Sequence, residues 1–306
     1  MNTRHARVIL TILRAGSFTA AARELGISQP TLSQTVRQIE TQLDETLFVR
    51  GRSSMTLTPA GECYVQAARR MIQAEDQLAE ALSQLRGRVE GRLRIGLMPG
   101  RSAELMPQIL DDFLSIYPGI RLEIREAEAA RLEHHLIHGE LDMALLSSEP
   151  RNSRLEYRQV ASEEIVLLAG KRTALAQRLP SGTTIGLREA ERERFILPVP
   201  DHSNRRYFDD LFASLGLQPN ICMECDSVNT AMRACASAAL VMLCPFISLL
   251  CDSASMQKLA HYHLGTDAYL PPFFMAYPHE SPLSPHAETL FSLLSSRFRA
   301  MTAYRA

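Results

Sequence analysis

Along the first part of the chain, apolar positions recur at helical spacing, and short breaks that can cap a helix separate the runs. Val8, Ile9, Ile12 and Leu13 predict a first helix that Gly16 closes. Ser17 can cap a second, which carries Ala20, Ala21, Ala22 and Leu25 and stops at Gly26. Ser28 can cap a third with Pro30 in its first turn, where the missing N–H costs nothing. Two short helices with a brief joint between them predict helix-turn-helix geometry. In the third helix, Leu32, Val36, Ile39 and Leu43 form one apolar stripe. Pro30, Gln34, Arg37 and Thr41 then fall on the opposite side, with Thr31 and Ser33 on its flanks. Leu47 to Arg50 and Met55 to Thr58 read as two short strands about the turn Gly51-Arg52-Ser53-Ser54, a hairpin with Arg50 and Arg52 at its tip.

Thr58 can cap a long helix with Pro59 in its first turn, running to about Leu85. Tyr64, Ala67, Met71, Ala74, Leu78, Ala81 and Leu85 repeat there at heptad spacing, the pattern of a helix that pairs with its twin. Packing of that helix on its own domain is the competing reading. Arg86 to Gly91 breaks it and reads as a hinge. Beyond the hinge, strand patterns at Leu93–Leu97, Ile120–Ile124 and Leu141–Leu145 alternate with helices from about Ser102 to Tyr117 and around Leu132 to His138. Further strands follow at Ile165–Leu168, Phe195–Leu197 and Ile221–Glu224. Such alternation argues for α/β sheets with helices on their faces.

Composition adds little until it is read by region. Over 306 residues the formal net charge is -1, with 46% hydrophobic and 22% charged residues, ordinary for a globular chain. Between Met1 and Thr58, however, seven basic residues stand against four acidic ones. The outward face of the third helix carries one arginine and no acid. It suits a major groove, where Gln pairs with adenine and Arg with guanine; a solvated face is the bland alternative. The hairpin-tip arginines suit phosphate or a minor groove, or are a solvated basic turn. Arg4, Arg7 and Arg14 interrupt any signal-peptide core, and no apolar run approaches the roughly 20 residues of a membrane span. A cytoplasmic protein with reduced cysteines and no membrane partner is expected.

Here a resemblance enters. Gly16-Ser17-Phe18-Thr19-Ala20-Ala21-Ala22, Leu25 and Ser28-Gln29-Pro30-Thr31-Leu32-Ser33-Gln34 resemble the helix-turn-helix of LysR-type transcriptional regulators. Ile39-Glu40, Leu43, Leu47-Phe48, Arg50 and Leu57-Thr58-Pro59-Ala60-Gly61 keep the register. Asp44 departs from it, standing where the family usually has Gly, and this bears on the turn into the wing. In the body, Leu93-Arg94-Ile95-Gly96, Tyr117-Pro118 and Gly139 to Ala144 are similar to the family's effector domain. A glycine-rich turn usual before the strand ending in Pro245 is replaced by Ala236-Ser237-Ala238-Ala239.

The resemblance implies an α/β protein with an N-terminal winged helix-turn-helix (1–58), a linker and dimerisation helix with hinge (59–90), and a two-lobed, periplasmic-binding-protein-like effector domain (91–306). Lobe I would span about 91–163 plus 267–306 and lobe II about 164–266. It implies a DNA-binding set of Ser28, Gln29, Pro30, Thr31, Ser33, Gln34, Arg37, Arg50 and Arg52, reading double-stranded DNA with an interrupted palindrome. The partners would be a homodimer, assembled as a dimer of dimers, and RNA polymerase. By alignment, Gly100, Arg101, Ser102, Ser147, Ser148, Ser203, Asn204, Ser227, Asn229 and Thr230 fall at the effector cleft, beside Asp201 and His202. Arg101 and the helix N-termini favour an organic anion there. Ligand binding would shift lobe closure and, through it, the grip on DNA. No cofactor is expected.

Three patterns point elsewhere. Cys222, Cys225, Cys235, Cys244 and Cys251 hold five of the six cysteines, open to a redox reading, yet a strand would place the first two on opposite faces and no second C-x-x-C completes a zinc site. Buried packing is the competing assignment. His134 and His138 share a helix face, which can bind a metal or simply be solvated. With no phosphate loop, nucleophile elbow or metal-ligand run, a regulator is expected rather than an enzyme; a free-standing solute-binding protein would not carry the head.

Overall fold

The computed structural model describes residues 2–49, 56–85, 89–147, 150, 152–200, 202–250, 256–265 and 270–302. Within these, the side chains of residues 77, 80, 81, 83–85, 203, 250 and 302 are not described. Two compact units emerge: residues 1–92 with 119–121 and 135–141 form one, and the remainder forms the other.

In the first unit, α1 spans Thr3–Ala15, α2 Phe18–Glu24 and α3 Gln29–Leu43. Gly16 ends α1 in the left-handed conformation that a non-glycine residue adopts only under strain (φ 69°). Ser17 accepts from the Ala20 amide and Ser28 from the Thr31 amide, so both predicted caps are made. Ile9, Ile12, Ala21, Ala22, Leu32, Val36 and Ile39 share one core. Leu43, expected on the same stripe, is instead 40% exposed in the last turn of α3. The wing is present as an antiparallel bridge between Phe48 and Leu57, with the Val49 amide donating to the Thr56 carbonyl.

Helix α4 spans Pro59–Leu85. Thr58 opens it, its hydroxyl accepting from the Gly61 amide at 3.0 Å. At Gly61 a Cβ would lie 2.1 Å from the Leu47 carbonyl oxygen. The helix therefore approaches the wing backbone more closely than any side chain permits.

The second unit carries two five-stranded sheets, apart from residues 90–92 and 119–121 of the first sheet, which fall in the first unit. The first has the order β2-β1-β3-β10-β4, formed by Gly119–Glu126, Glu90–Leu97, Met143–Leu146, Pro272–Pro278 and Leu155–Ser162. The second has the order β7-β6-β8-β5-β9, formed by Asn220–Glu224, Arg194–Leu197, Val241–Pro245, Ile165–Gly170 and Leu259–His263. Helices α5 (Arg101–Ile116), α6 (Ala129–Ile137) and α10 (Pro285–Thr302) accompany the first sheet; α7 (Ala174–Arg178), α8 (Ser203–Ser214) and α9 (Val228–Ser237) accompany the second. Parallel pairings (β1 with β3, β6 with β7 and β8) sit beside antiparallel ones.

Strand β5 is buried along its whole length. Ile165, Leu167 and Ala169 face a core with Phe208, Phe212 and Tyr262, while Val166 and Leu168 face a second with Met232 and Cys235. A strand covered on both sides reads as an unbroken apolar run, as here. The alanine-for-glycine turn after α9 is accommodated without left-handed backbone, since Ala238 is extended (φ -132°). The close approach is made by Gly170 instead, whose Cβ would lie 2.3 Å from the carbonyl oxygens of Ala238 and Cys235.

Candidate functional site

The outward face of α3 is where the apolar stripe leaves it. With Leu32, Val36 and Ile39 buried, Ser28, Gln29, Pro30, Thr31, Gln34 and Arg37 are exposed and Ser33 is half-buried. Ser28 and Thr31 hydroxyls bond at 2.7 Å, and the Gln29 amide donates to the Ser33 hydroxyl at 3.2 Å. Gln34 and Arg37, in contrast, have no side-chain partner among the described residues. A residue that periodicity alone does not single out fixes the helix to the wing: buried Glu40 accepts from the Leu47 amide at 2.8 Å. Arg50 and Arg52 lie outside the described residues.

Helix α4 divides its apolar residues between two directions. Tyr64, Val65 and Ala68 are buried in the core of the first unit, with Ile72 packed against it. Ala67 and Ala74 are exposed, Met71 is half-buried, and Leu78 is 61% exposed. Tyr64 thus departs from the heptad expectation, because its ring is committed to its own domain; the side chains of Ala81 and Leu85 lie outside the description.

In the second unit, a cavity of about 460 Å³ opens at the carboxyl ends of the strands of both sheets. Gly100, Arg101, Ser102, Ser147, Asn204, Ser227 and Asn229 line it as expected by alignment. Thr230 is not among the lining residues, because its amide and hydroxyl both turn to the Ser227 hydroxyl in the first turn of α9. Ser148, Asp201 and the Ser203 side chain lie outside the description.

Arg101 differs most from its expected role. It is 6% exposed, and its guanidinium donates to Glu104 at 2.5 Å and to both oxygens of Glu163. The same group lies 4.9 Å from the ring centroid of Phe273. Glu163, fully buried where β4 passes into β5, also accepts from the Ile247 amide at 3.2 Å. Burial pushes its carboxyl up to about 7, against the pull of Arg101. Glu104 further accepts from the Ser248 hydroxyl at 2.7 Å. An anionic ligand thus meets an arginine already engaged by two carboxylates.

The N-terminus of α5 is likewise taken. Glu126 accepts from the Gly100 amide at 3.2 Å and from the Ser102 hydroxyl, occupying the position a helix end offers to an anion. Across the cavity His202 caps α8, its Nδ1 accepting from the Asn204 amide at 3.2 Å. In the neutral ring this leaves the proton on Nε2, which lies 4.0 Å from Glu128. Asp226 also lines the cavity and has no side-chain partner among the described residues. Glu126 ends β2, Glu128 follows it and Asp226 follows β7, so all three stand at strand carboxyl ends, as Ser102 and Ser227 do.

Of the clustered cysteines, Cys235 and Cys244 are packing residues, while Cys222 is exposed and Cys225 half-buried. Cys235 is buried and desolvation pushes its thiol up to about 12; Cys244 is fully buried and raised by the same cause. Cys222 donates weakly to the Phe195 carbonyl, and Cys251 lies outside the described residues. His134 is exposed, and among the described residues no group of three or more His, Cys, Asp or Glu could hold a metal ion. No described helix is long and apolar enough to cross a membrane.

Comparison with known proteins joins these sites. A family model described as the bacterial regulatory helix-turn-helix protein, lysR family, matches residues 3–62, and the LysR substrate binding domain matches residues 86–299. An uncharacterized HTH-type transcriptional regulator of Bacillus subtilis, YcgK, is 29% identical over 248 residues, 76% of each chain. Full-length OxyR from Pseudomonas aeruginosa shares the fold at a TM-score of 0.74 and 19% identity, over 100% of this chain and 98% of its own. CbnR in complex with its target DNA does so at 0.66 and 20%, over 97% and 99%. With both of its domains matched, the chain belongs to the LysR family of DNA-binding transcriptional regulators.

Proposed function

We propose that this regulator reads an interrupted palindromic operator through α3 and changes its transcriptional output when a small molecule occupies the cavity of the second unit. Residues 1–58 read DNA, 59–90 pair two copies and 91–306 sense the effector. Gln34 and Arg37 contact base edges; Ser28, Gln29, Pro30, Thr31 and Ser33 position the helix N-terminus against the backbone, and Arg50 and Arg52 grip from the wing. The exposed seam of α4 pairs the heads so that two half-sites are read together, and two such dimers assemble into a tetramer. The protein acts in the cytoplasm, where RNA polymerase is its further partner.

One observation carries this reading: Gln34 and Arg37 project from a capped, core-anchored helix with their hydrogen-bonding groups unspent. Genome-wide DNA binding with the full chain would yield the operator. On that operator, Gln34→Ala and Arg37→Ala should each weaken binding by about ten- to a hundredfold, as loss of a bidentate base contact implies. Unchanged affinity in a folded double variant would remove α3 as the reading element.

A further inference from the structure

The lining of the cavity has a charge opposite to the one its alignment suggested. Among the described lining residues, five carboxyl groups, on Glu104, Glu126, Glu128, Glu163 and Asp226, stand against one guanidinium, that of Arg101. Arg101 is buried and ion-paired with both Glu104 and Glu163, so its charge is already countered by two carboxylates. The helix end at Gly100 and Ser102 is filled by Glu126, which uses Oε1 alone for both contacts. Glu126, Glu128 and Asp226 line the same cavity, and Glu126 Oε2 has no contact among the described residues. Among the described lining residues His202 is the one other basic side chain, its Nε2 4.0 Å from Glu128.

We infer that the effector is a small organic cation bearing an amine or guanidine, bound in this cavity by Glu126, Glu128 and Asp226. The inference rests on reading the second unit as an effector domain. That reading has support independent of charge, since the substrate-binding-domain match spans residues 86–299 and the cavity has the size of a small-molecule site. Carboxylates from different segments of the chain converge on it, and among the described lining residues Arg101, already paired with Glu104 and Glu163, is the one lysine or arginine to offset them. Bringing such groups together costs electrostatic energy, which a bound cation would recover. At the α5 N-terminus an anion would have to displace Glu126, and at Arg101 it would have to compete with Glu163.

The test is calorimetry on the full-length protein with two panels: putrescine, agmatine, arginine and lysine as cations, and succinate, 2-oxoglutarate and benzoate as anions. At least one cation should bind, more weakly as salt rises. Glu128→Gln and Asp226→Asn should each reduce its affinity about tenfold or more, the loss expected of one charge-assisted contact. The charge reversal Glu128→Lys should abolish cation binding, with folding of every variant checked by circular dichroism. Failure of all four cations to bind overturns the inference, as does affinity untouched by these substitutions. An anion that binds and changes the DNA footprint would overturn it while leaving the effector-domain reading intact. No binding from either panel, and no footprint change with any of the seven, would count against both.

Discussion

Asp44 is the one non-glycine described residue with positive φ, at 55°, and it closes α3 with its amide directed to the Glu40 and Thr41 carbonyls. The family's usual glycine is thus replaced without loss of the left-handed turn into the wing. Strain of about 1–2 kcal/mol is the general cost of that conformation, lessened for Asp. A carboxylate at a helix C-terminus adds about 0.3–1 kcal/mol. Together they outweigh the extra chain entropy of glycine, about 0.4–1 kcal/mol. Asp44→Gly should therefore stabilise the first unit by about 1 kcal/mol, seen as slower amide hydrogen exchange in α3; faster exchange would refute the balance. The caps at Ser17 and Ser28 were legible because a cap needs only a neighbour three residues away. The fate of Arg101 was not, because Glu163 lies 62 residues along the chain.

At the scale of elements, helices written by local periodicity came through with their ends nearly in place. Strand β10 went unpredicted, although it lies inside a sheet, between β3 and β4. Pro272 and Pro278 bound it and argue against a central strand when read without neighbours, but both stand at its ends. Strands β4 and β9 also went unpredicted. For α4, periodicity found a seam but could not say which residues turn inward; tertiary packing claims Tyr64, Val65 and Ala68 and leaves Ala74, Leu78 and Leu82 outside. Leu78→Asp should raise the dimer dissociation constant about thirtyfold or more, since a buried leucine is worth about 1.5–3 kcal/mol and a charge opposes burial. Sedimentation equilibrium of the full chain would measure it. An unchanged mass distribution would rule out pairing through this stripe.

For the molecule as a whole, Glu163 couples protonation to folding. It sits where the chain passes from the first sheet to the second, its amide donating to the Pro271 carbonyl on the return strand at 3.1 Å. Its carboxyl, ordinarily near 4.5, is raised to about 7 by burial. Between these values the unfolded chain releases a proton that the folded one keeps. Stability from this group is therefore greatest below 4.5, falls as pH rises toward 7 and then levels, a change on the order of 3 kcal/mol. Glu163→Gln cannot titrate, so its thermal midpoint should fall less steeply than that of the parent between pH 4.5 and 7. Parallel curves for the two proteins would show that Glu163 titrates normally in the fold.

Sequence alone determined the helix-turn-helix, its caps, the polar outward face of α3 and the alternation that makes an α/β body, because each depends on residues a few positions apart. Only the tertiary structure decided the character of the cavity. Its carboxylates come from segments between Glu104 and Asp226, and their charge is felt only where the fold brings them together. Coulomb interaction depends on distance through space, which the order of residues along a chain does not contain.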